Sequence, residues 1–466
     1  MSKSTTAEVD EASLGYILRI ALPMVIATIS YTLMQFVDRW MVGRYDEQAL
    51  AAILPASMIS FVPSSFLLGL MTTVNTFVSQ SFGQKALRDC SHYCWQAIYL
   101  GLAYSIATFA LIWPLAPKIF IWMNQPESLI AMEVTYLRIM LLGQFVVVFI
   151  WATNQFFMGI HQAEITMITA LISQAVNVAA NYALIFGKWG CPEMGIEGAG
   201  WGTFIGALVN GLTRIFYFIR PRIHAQFQSR STLHLDGPKI WDLLRIGTPA
   251  GFAFCVNTAV VGAILFRLMG GFGESALAAT SAVYSCVSLS FMPVVGLGTA
   301  LTAAVGKSIG HNRPDEVERQ TRHCLKIALI YMGCVGLCFF LFRQHIIAIW
   351  SLSPETAALG AKILICAAVF QVFDAAVLTY SGALRGAGDT LYLGWITAAG
   401  AIWVLGLGGW LIVTTLPQWG AIGPWIAYTL HVVFVGISNR IRFKSGRWRR
   451  INIFQQSTPE VPVDVG

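Results

Sequence analysis

Three pairs of acid and amide side chains stand within or at the edge of apolar runs of this chain, where polar groups are costly to bury. Asp38 closes the first run, and Gln35, three residues before it, shares its helical face. Asp374 sits near the middle of a later run, Phe370-Gln371-Val372-Phe373-Asp374, again with a glutamine at i−3. Between them in sequence, Asn177 and Asn181 lie four residues apart and share a face of a third run. A charged side chain deep in a span costs about 2.5–3.5 kcal/mol on insertion scales, so such a residue lies at the interface or faces a polar cavity. In a cavity a carboxyl can exchange a proton, hold a small cation or anchor a positively charged ligand. Arg39 is adjacent to Asp38 and Gly43 follows, so the interface and the cavity are both open for it. For Asp374 the mid-run position leaves only the cavity.

These groups need a scaffold that can carry them. The chain has 466 residues, 56% hydrophobic and 11% charged, with a mean hydropathy of +0.65. Soluble domains carry about 25% charged residues, so the composition specifies an all-α polytopic membrane protein without a separable soluble domain. Residues 1–13 are polar and lack the basic start of a cleaved signal, so the first span is expected to be retained. The net charge of +7 resides in short loops and one tail that abut apolar runs, a placement set by membrane orientation rather than by nucleic-acid binding. The nine cysteines show no CxxC or Cys/His metal spacing. Cys90/Cys94 and Cys334/Cys338 are i,i+4 pairs read as packing residues, and no cofactor is expected.

Twelve spans are predicted, at about 14–42, 49–80, 92–115, 130–158, 163–187, 197–219, 240–270, 276–306, 322–345, 356–384, 391–415 and 420–441. Lys85, Arg88, Arg220, Arg222, Arg230, Lys239, Lys307, Arg313, Arg319, Arg322 and Arg385 fall on one side with the basic tail, which predicts both termini in the cytoplasm of a cell (inner) membrane. The chain also repeats itself. Leu18-Arg-Ile-Ala-Leu-Pro23 matches Leu244-Arg-Ile-Gly-Thr-Pro249 at an offset of 226 residues. At an offset of 227, Glu47-Gln-Ala-Leu-Ala-Ala52 matches Glu274-Ser-Ala-Leu-Ala-Ala279, Ser81-Phe-Gly83 matches Ser308-Ile-Gly310, and Gly159 matches Gly386. Six spans per half is an even number, so the halves share one orientation and form a parallel repeat. The expected divisions are a 1–13 segment, a six-helix lobe over 14–219, a linker over 220–239, a second six-helix lobe over 240–441 and a basic tail over 442–466. In such transporters the substrate site lies between the halves near the midplane, and access alternates as they rock.

Several stretches together are similar to the multidrug and toxic compound extrusion (MATE) family, most of all to its NorM-type bacterial members. They are Phe-Val-Asp38 with Met-Val-Gly43, Asn177-Val-Ala-Ala-Asn181-Tyr-Ala-Leu-Ile-Phe-Gly187, Gly195-Ile-Glu-Gly-Ala-Gly-Trp-Gly-Thr203, Phe370-Gln-Val-Phe-Asp374, and Ser381-Gly-Ala-Leu-Arg385-Gly-Ala-Gly-Asp389-Thr390. The last is the most specific, and the resemblance covers residues 14–441. It implies a two-lobed, V-shaped antiporter, not an enzyme, that expels organic, often cationic or amphipathic small molecules against inward H⁺ or Na⁺ and works as a monomer in the lipid bilayer. It also places Asp38, Asn154, Asn177, Asn181 and Thr203 around one polar pocket in the N-terminal lobe. One carboxylate among neutral oxygens suits a monovalent hard cation or a carboxyl that takes a proton, and both remain open. Pro23, inside the same helix as Asp38, removes a backbone hydrogen bond and can kink it. NorM-type relatives carry an acid in the seventh span, where this chain has Asn257; a two-carboxylate Na⁺ site in the second lobe is therefore not expected, and Asp374 stands alone to bind a cationic substrate or a proton. A flippase of lipid-linked oligosaccharides from the same broad superfamily is the alternative, disfavoured by acidic rather than basic mid-span residues. The sequence has no His-Glu-x-x-His and no acyltransferase-like His/Asp pair, which argues against a membrane-embedded enzyme. Three secondary readings complete the expectations: Glu133 and Arg138, near the outer end of the fourth span, could pair, Arg385 pairs with Asp389 in a tight turn, and His431 is a packed polar residue.

Overall fold

The computed structural model describes residues 14–123, 126–256, 261–350 and 353–454, which are helical and carry no strand. The first half contains α1 (Leu14–Tyr45), α2 (Glu47–Gly83), α3 (Leu87–Trp122), α4 (Glu127–Gly159), α5 (Ala163–Ile185) and α6 (Gly195–Ile219). A short α7 (Pro221–Phe227) follows. The second half contains α8 (Gly237–Cys255), α9 (Val261–Gly270), α10 (Glu274–Gly310), α11 (Pro314–Leu341), α12 (Arg343–Ala348) and α13 (Pro354–Gly386). It ends with α14 (Thr390–Ala399), a π-helical segment (Gly400–Leu407), α15 (Gly408–Thr415) and α16 (Gly423–Lys444).

Among the described residues, eleven helices are long and apolar enough to cross a membrane, one fewer than expected. The seventh expected span falls on α8 and α9, and residues 257–260 between them, Asn257 included, lie outside the described residues. A second difference concerns α1, which continues past Gly43 to Tyr45. Asp38 is therefore well inside the helix rather than at its end. The expected linker, too, is built into the fold. Its α7 is followed by a segment bound along α3, where Trp95 Nε1 donates to the Ser229 carbonyl at 2.7 Å and Gln96 Nε2 to the His234 carbonyl at 2.8 Å. Asp236 then caps α8 by accepting from the Lys239 backbone N–H at 3.2 Å.

The repeat is written in the backbone as well. Lys85 and Asn312, 227 residues apart, hold φ of 61° and 58°, and His161 and Gly388, also 227 apart, hold 60° and 86°. Each closes a helix with the same reach-back bond: Ala86 N–H to Ser81, Arg313 to Ser308, Gln162 to Phe157 and Asp389 to Leu384. This is the left-handed helix stop that satisfies orphan carbonyls. Three of the four positions use a residue with a side chain where glycine is easier, so the shared geometry is not a product of glycine placement alone.

The halves meet along α1, α2, α8 and α10, toward the end that carries these turns. Glycines let the backbones touch: a Cβ at Gly83 would lie 2.3 Å from the Lys307 carbonyl oxygen, and one at Gly310 would lie 2.2 Å from that of Gln80. Hydrogen bonds cross the same seam, from Thr76 Oγ1 to the Arg385 carbonyl and from Gln80 Nε2 to the Gly386 carbonyl, both at 2.9 Å. The halves are closed together at this end.

Candidate ion-coupling and substrate sites

In the first half the site is built by small residues on α6. Gly198, Gly202 and Gly206 recur every fourth position and bring α5 into close approach. A Cβ at Gly198 would lie 2.6 Å from the Leu184 backbone, one at Gly202 1.9 Å from Asn181 Oδ1, and one at Gly206 2.7 Å from Asn177 Cβ. Asn177 and Asn181 are buried against this stripe, 1% and 0% exposed. Asn181 Nδ2 donates to Asp38 Oδ1 at 2.6 Å and lies 3.4 Å from Asn177 Oδ1. A charge-assisted bond of this length is among the stronger hydrogen bonds a protein makes. Asn181 Oδ1 and Asn177 Nδ2 are buried with no hydrogen-bond partner. An orphaned carbonyl oxygen beside a carboxylate is the donor set a small hard cation needs, and it also accepts from a water or a protonated carboxyl.

The other members of the expected pocket are placed differently. Thr203 is next to Gly202 on α6, and its hydroxyl donates back to the Ala199 carbonyl at 2.9 Å, which leaves the oxygen lone pairs available. Gln35 Nε2 donates to the Tyr31 hydroxyl at 2.8 Å. Asn154 is buried on α4, one turn past Ile150. Arg214 of α6 reaches the Ile150 carbonyl from a point 12 residues along the helix from Gly202, roughly 18 Å at 1.5 Å per residue. The structure thus brings Asp38, Asn177 and Asn181 together, with Thr203 alongside, and sets Asn154 toward the opposite end of the bundle.

Arg214 is a functional candidate that reading the sequence overlooked. It is 4% exposed and is held by Thr169 Oγ1 at 3.0 Å, the Ile150 carbonyl at 3.1 Å and the Thr166 carbonyl at 3.3 Å. One guanidinium pins α4, α5 and α6 together. A lone cation late in the sixth span was the available signal, hidden by its nearness to the charged segment that follows.

In the second half Asp374 of α13 is 9% exposed. Gln371, on the same face, donates to Ser290 Oγ of α10 at 2.6 Å, and its Oε1 is buried without a partner. Aromatic rings stand around this level: Phe370 meets Tyr428 edge-on at 5.3 Å, and Trp425 lies 5.7 Å from Tyr428. Phe370 stands one helical turn before Asp374 on α13. A buried carboxyl among aromatic faces is suited to an organic cation. His431, 4% exposed, seats its ring against Gly400 at the start of the π-helical segment, where a Cβ would lie 2.8 Å from Nδ1. Pro23 stays inside a continuous α1, and just beyond it Gly296 of α10 packs so closely that a Cβ would lie 3.1 Å from the Val25 nitrogen.

Two expected ion pairs are replaced. Glu133 does not pair with Arg138: at i,i+5 the two point to different sides of α4. Arg138 lies 5.0 Å over the Trp113 ring, while both Glu133 carboxyl oxygens are buried without a hydrogen bond. Asp389 is held not by Arg385 but by Arg442, at 2.7 and 3.2 Å, because the left-handed turn at Gly388 aims it toward α16. Cys90 and Cys94 are buried free thiols, as packing residues should be, whereas Cys334 and Cys338 are exposed on the helix surface.

This arrangement has counterparts. The sequence profile of the MatE family matches residues 23–183 and 249–408, two segments that start 226 residues apart and together make up well over half of the chain. The chain is 26% identical over 413 residues to a probable multidrug resistance protein NorM of Bacillus cereus, covering 88% of this chain and 91% of the relative. It is 28% identical over 416 residues to the multidrug resistance protein PmpM of Pseudomonas aeruginosa, covering 87% of each. Its fold superposes with a TM-score of 0.86 at 18% identity on the outward-facing conformation of a multidrug resistance MATE family transporter, over 97% of this chain and all of the other. With MATE in the bent conformation the TM-score is 0.84 at 18% identity, over 92% and 95%. Two repeated halves of membrane-crossing helices and a profile match that follows the same repeat lead to one conclusion: this multi-pass membrane protein belongs to the MatE family of multidrug efflux transporters.

Proposed function

We propose that this chain is a secondary active exporter of organic, cationic or amphipathic compounds, driven by inward H⁺ or Na⁺ through alternating access between the halves. The observation that carries the reading is the Asn181–Asp38 bond backed by Asn177 inside the first half. A carboxylate held in this way is a place where an ion binding from outside can change the hydrogen bonding of α1. Asp374, with its aromatic surroundings in the second half, is the substrate anchor or a second protonatable group. Closure at the end predicted to be cytoplasmic corresponds to an outward-facing state in a cell inner membrane with both termini inside. In this state Asp38 takes its ion, the bond to Asn181 rearranges, and α1 shifts against Gly296 of α10, which weakens the grip on substrate. The protein is expected to act as a monomer, without a cofactor.

The test is reconstitution into vesicles with an imposed Na⁺ gradient or an imposed pH gradient, scored by movement of a fluorescent cationic dye. One gradient should drive transport and the other should not. Dye that moves equally with either gradient or with none would sink the antiport reading.

A further inference from the structure

We propose that residues 447–454 form a strap that holds the two halves closed at the seam and must release its far end before that face can open. The strap leaves α16 of the second half. Its first anchor, Trp448, is 2% exposed, donates its indole N–H to the Phe443 carbonyl at 2.9 Å and stacks on the Phe443 ring at 5.5 Å and 9°. That anchor belongs to the core that holds Tyr380, Leu384 and Val317. Five residues later Ile453, also 2% exposed, is buried in a different core, built mainly from α2, α3 and α4 of the first half with Phe77, Tyr93 and Phe157. Phe454 follows it there, 6.0 Å from the Phe77 ring and 6.3 Å from Tyr93.

The path between the anchors is fitted to the chain. The strap passes over the α13–α14 turn at Gly388, where a Cβ would lie 2.4 Å from Ile453 Cγ2, so the crossing needs a residue without a side chain. The same turn is fixed to α16 by the Arg442–Asp389 pair, and Arg449 reaches Glu318 of α11 at 2.6 Å. Next to it run the seam bonds from Thr76 and Gln80 to the carbonyls of Arg385 and Gly386. Five residues span at most about 18 Å when fully extended, so the strap cannot follow both halves through a wide opening. The end that lets go is Ile453–Phe454, since Trp448 is held by its own helix.

The strap bears on transport only if this face opens as the proposed function requires, but its test reads opening directly. Hydrogen–deuterium exchange on the protein in lipid nanodiscs would follow peptides covering 74–84 and 300–311, for wild type, a chain ending at Arg450, and Ile453→Asp. Both variants should exchange roughly tenfold faster in the two seam peptides, the factor that less than one buried aliphatic side chain supplies, while peptides in the remote half of α4, 130–141, keep the wild-type rate. Seam exchange at the wild-type rate in the chain ending at Arg450, or a uniform acceleration everywhere, would overturn the strap. If Ile453→Asp fails to fold, the shortened chain decides alone. Wild type that moves no dye while the seam peptides still respond would remove the transport reading and leave the strap.

Discussion

Asn181 and Asp38 share a hydrogen bond of 2.6 Å, and through it α5 is fastened to α1, a helix that also lies against α10 of the opposite half at Gly296. The bond therefore joins the polar pair Asn177 and Asn181 to the boundary between the halves. In the proposed mechanism, neutralising or coordinating the carboxylate changes the acceptor that Asn181 sees and passes that change to α1.

Asp38→Asn keeps the shape and one acceptor oxygen but removes the charge. Dye efflux should fall to the level of cells lacking the protein, while the thermal midpoint of the purified variant stays within the range of an ordinary hydrogen-bond change, about 1 kcal/mol. Wild-type efflux from this variant would remove Asp38 from the coupling site. Asn181→Leu should copy the transport loss.

Gly202 bears on the same pair from behind. Gly202→Ala puts a methyl group 1.9 Å from Asn181 Oδ1, so Asn181 or α6 must shift. Overpacking of this kind costs about 1–3 kcal/mol. The expected result is a lowered unfolding midpoint together with impaired efflux; a methyl group accommodated with neither effect would show that the α5–α6 contact is looser than described.

At the seam, Gly83→Ala and Gly310→Ala place a methyl group against the carbonyls of Lys307 and Gln80, which are backbone and cannot swing aside. Each should push the closed face apart. The measurement is thiol accessibility of a cysteine introduced at Ser79, itself 0% exposed, which should rise in both variants and stay low in the parent. Labelling equal to that of the parent would exclude a glycine-dependent closure.

A pH effect is expected from the turn at His161. The ring lies beside Tyr16, with Tyr16 Oη and His161 Nδ1 3.3 Å apart. Burial, and then the positive charges of Lys307 and His311, push the imidazole down to about 3. Because the folded value lies below the ordinary 6.5, the unfolded chain binds the extra proton as pH falls. The stability is fully present above about pH 6.5 and is lost progressively toward pH 3. His161→Phe should flatten the dependence of the unfolding midpoint between pH 6.5 and 5, where wild type loses on the order of 1 kcal/mol after allowance for partial solvent access. An unchanged slope would place the pH sensitivity elsewhere.

The membrane-crossing helices and the repeat were legible in the sequence because hydropathy acts locally and a duplicated chain keeps its spacing. Asp38, Asn177 and Asn181 were legible for a related reason: polar groups in apolar runs are few, and i,i+4 spacing fixes a shared face. What the linear chain did not hold is which element stands opposite which. Asn154 lies in the right lobe but one turn past Ile150, whose carbonyl holds Arg214 roughly 18 Å along α6 from Gly202, a separation set by helix register rather than by residue type. Arg442 took the place of Arg385 as the partner of Asp389 because a left-handed turn at Gly388 redirects the carboxylate. The strap was invisible for the same reason: in sequence, Ile451-Asn452-Ile453-Phe454 is a stretch within the tail that follows its basic cluster, and only tertiary contact puts Ile453 in the core of the other half. Composition and periodicity determined the membrane fold and its polar candidates, since each depends on neighbours in sequence. Tertiary structure alone decided the pairings, since a hydrogen bond or a buried ring depends on neighbours in space.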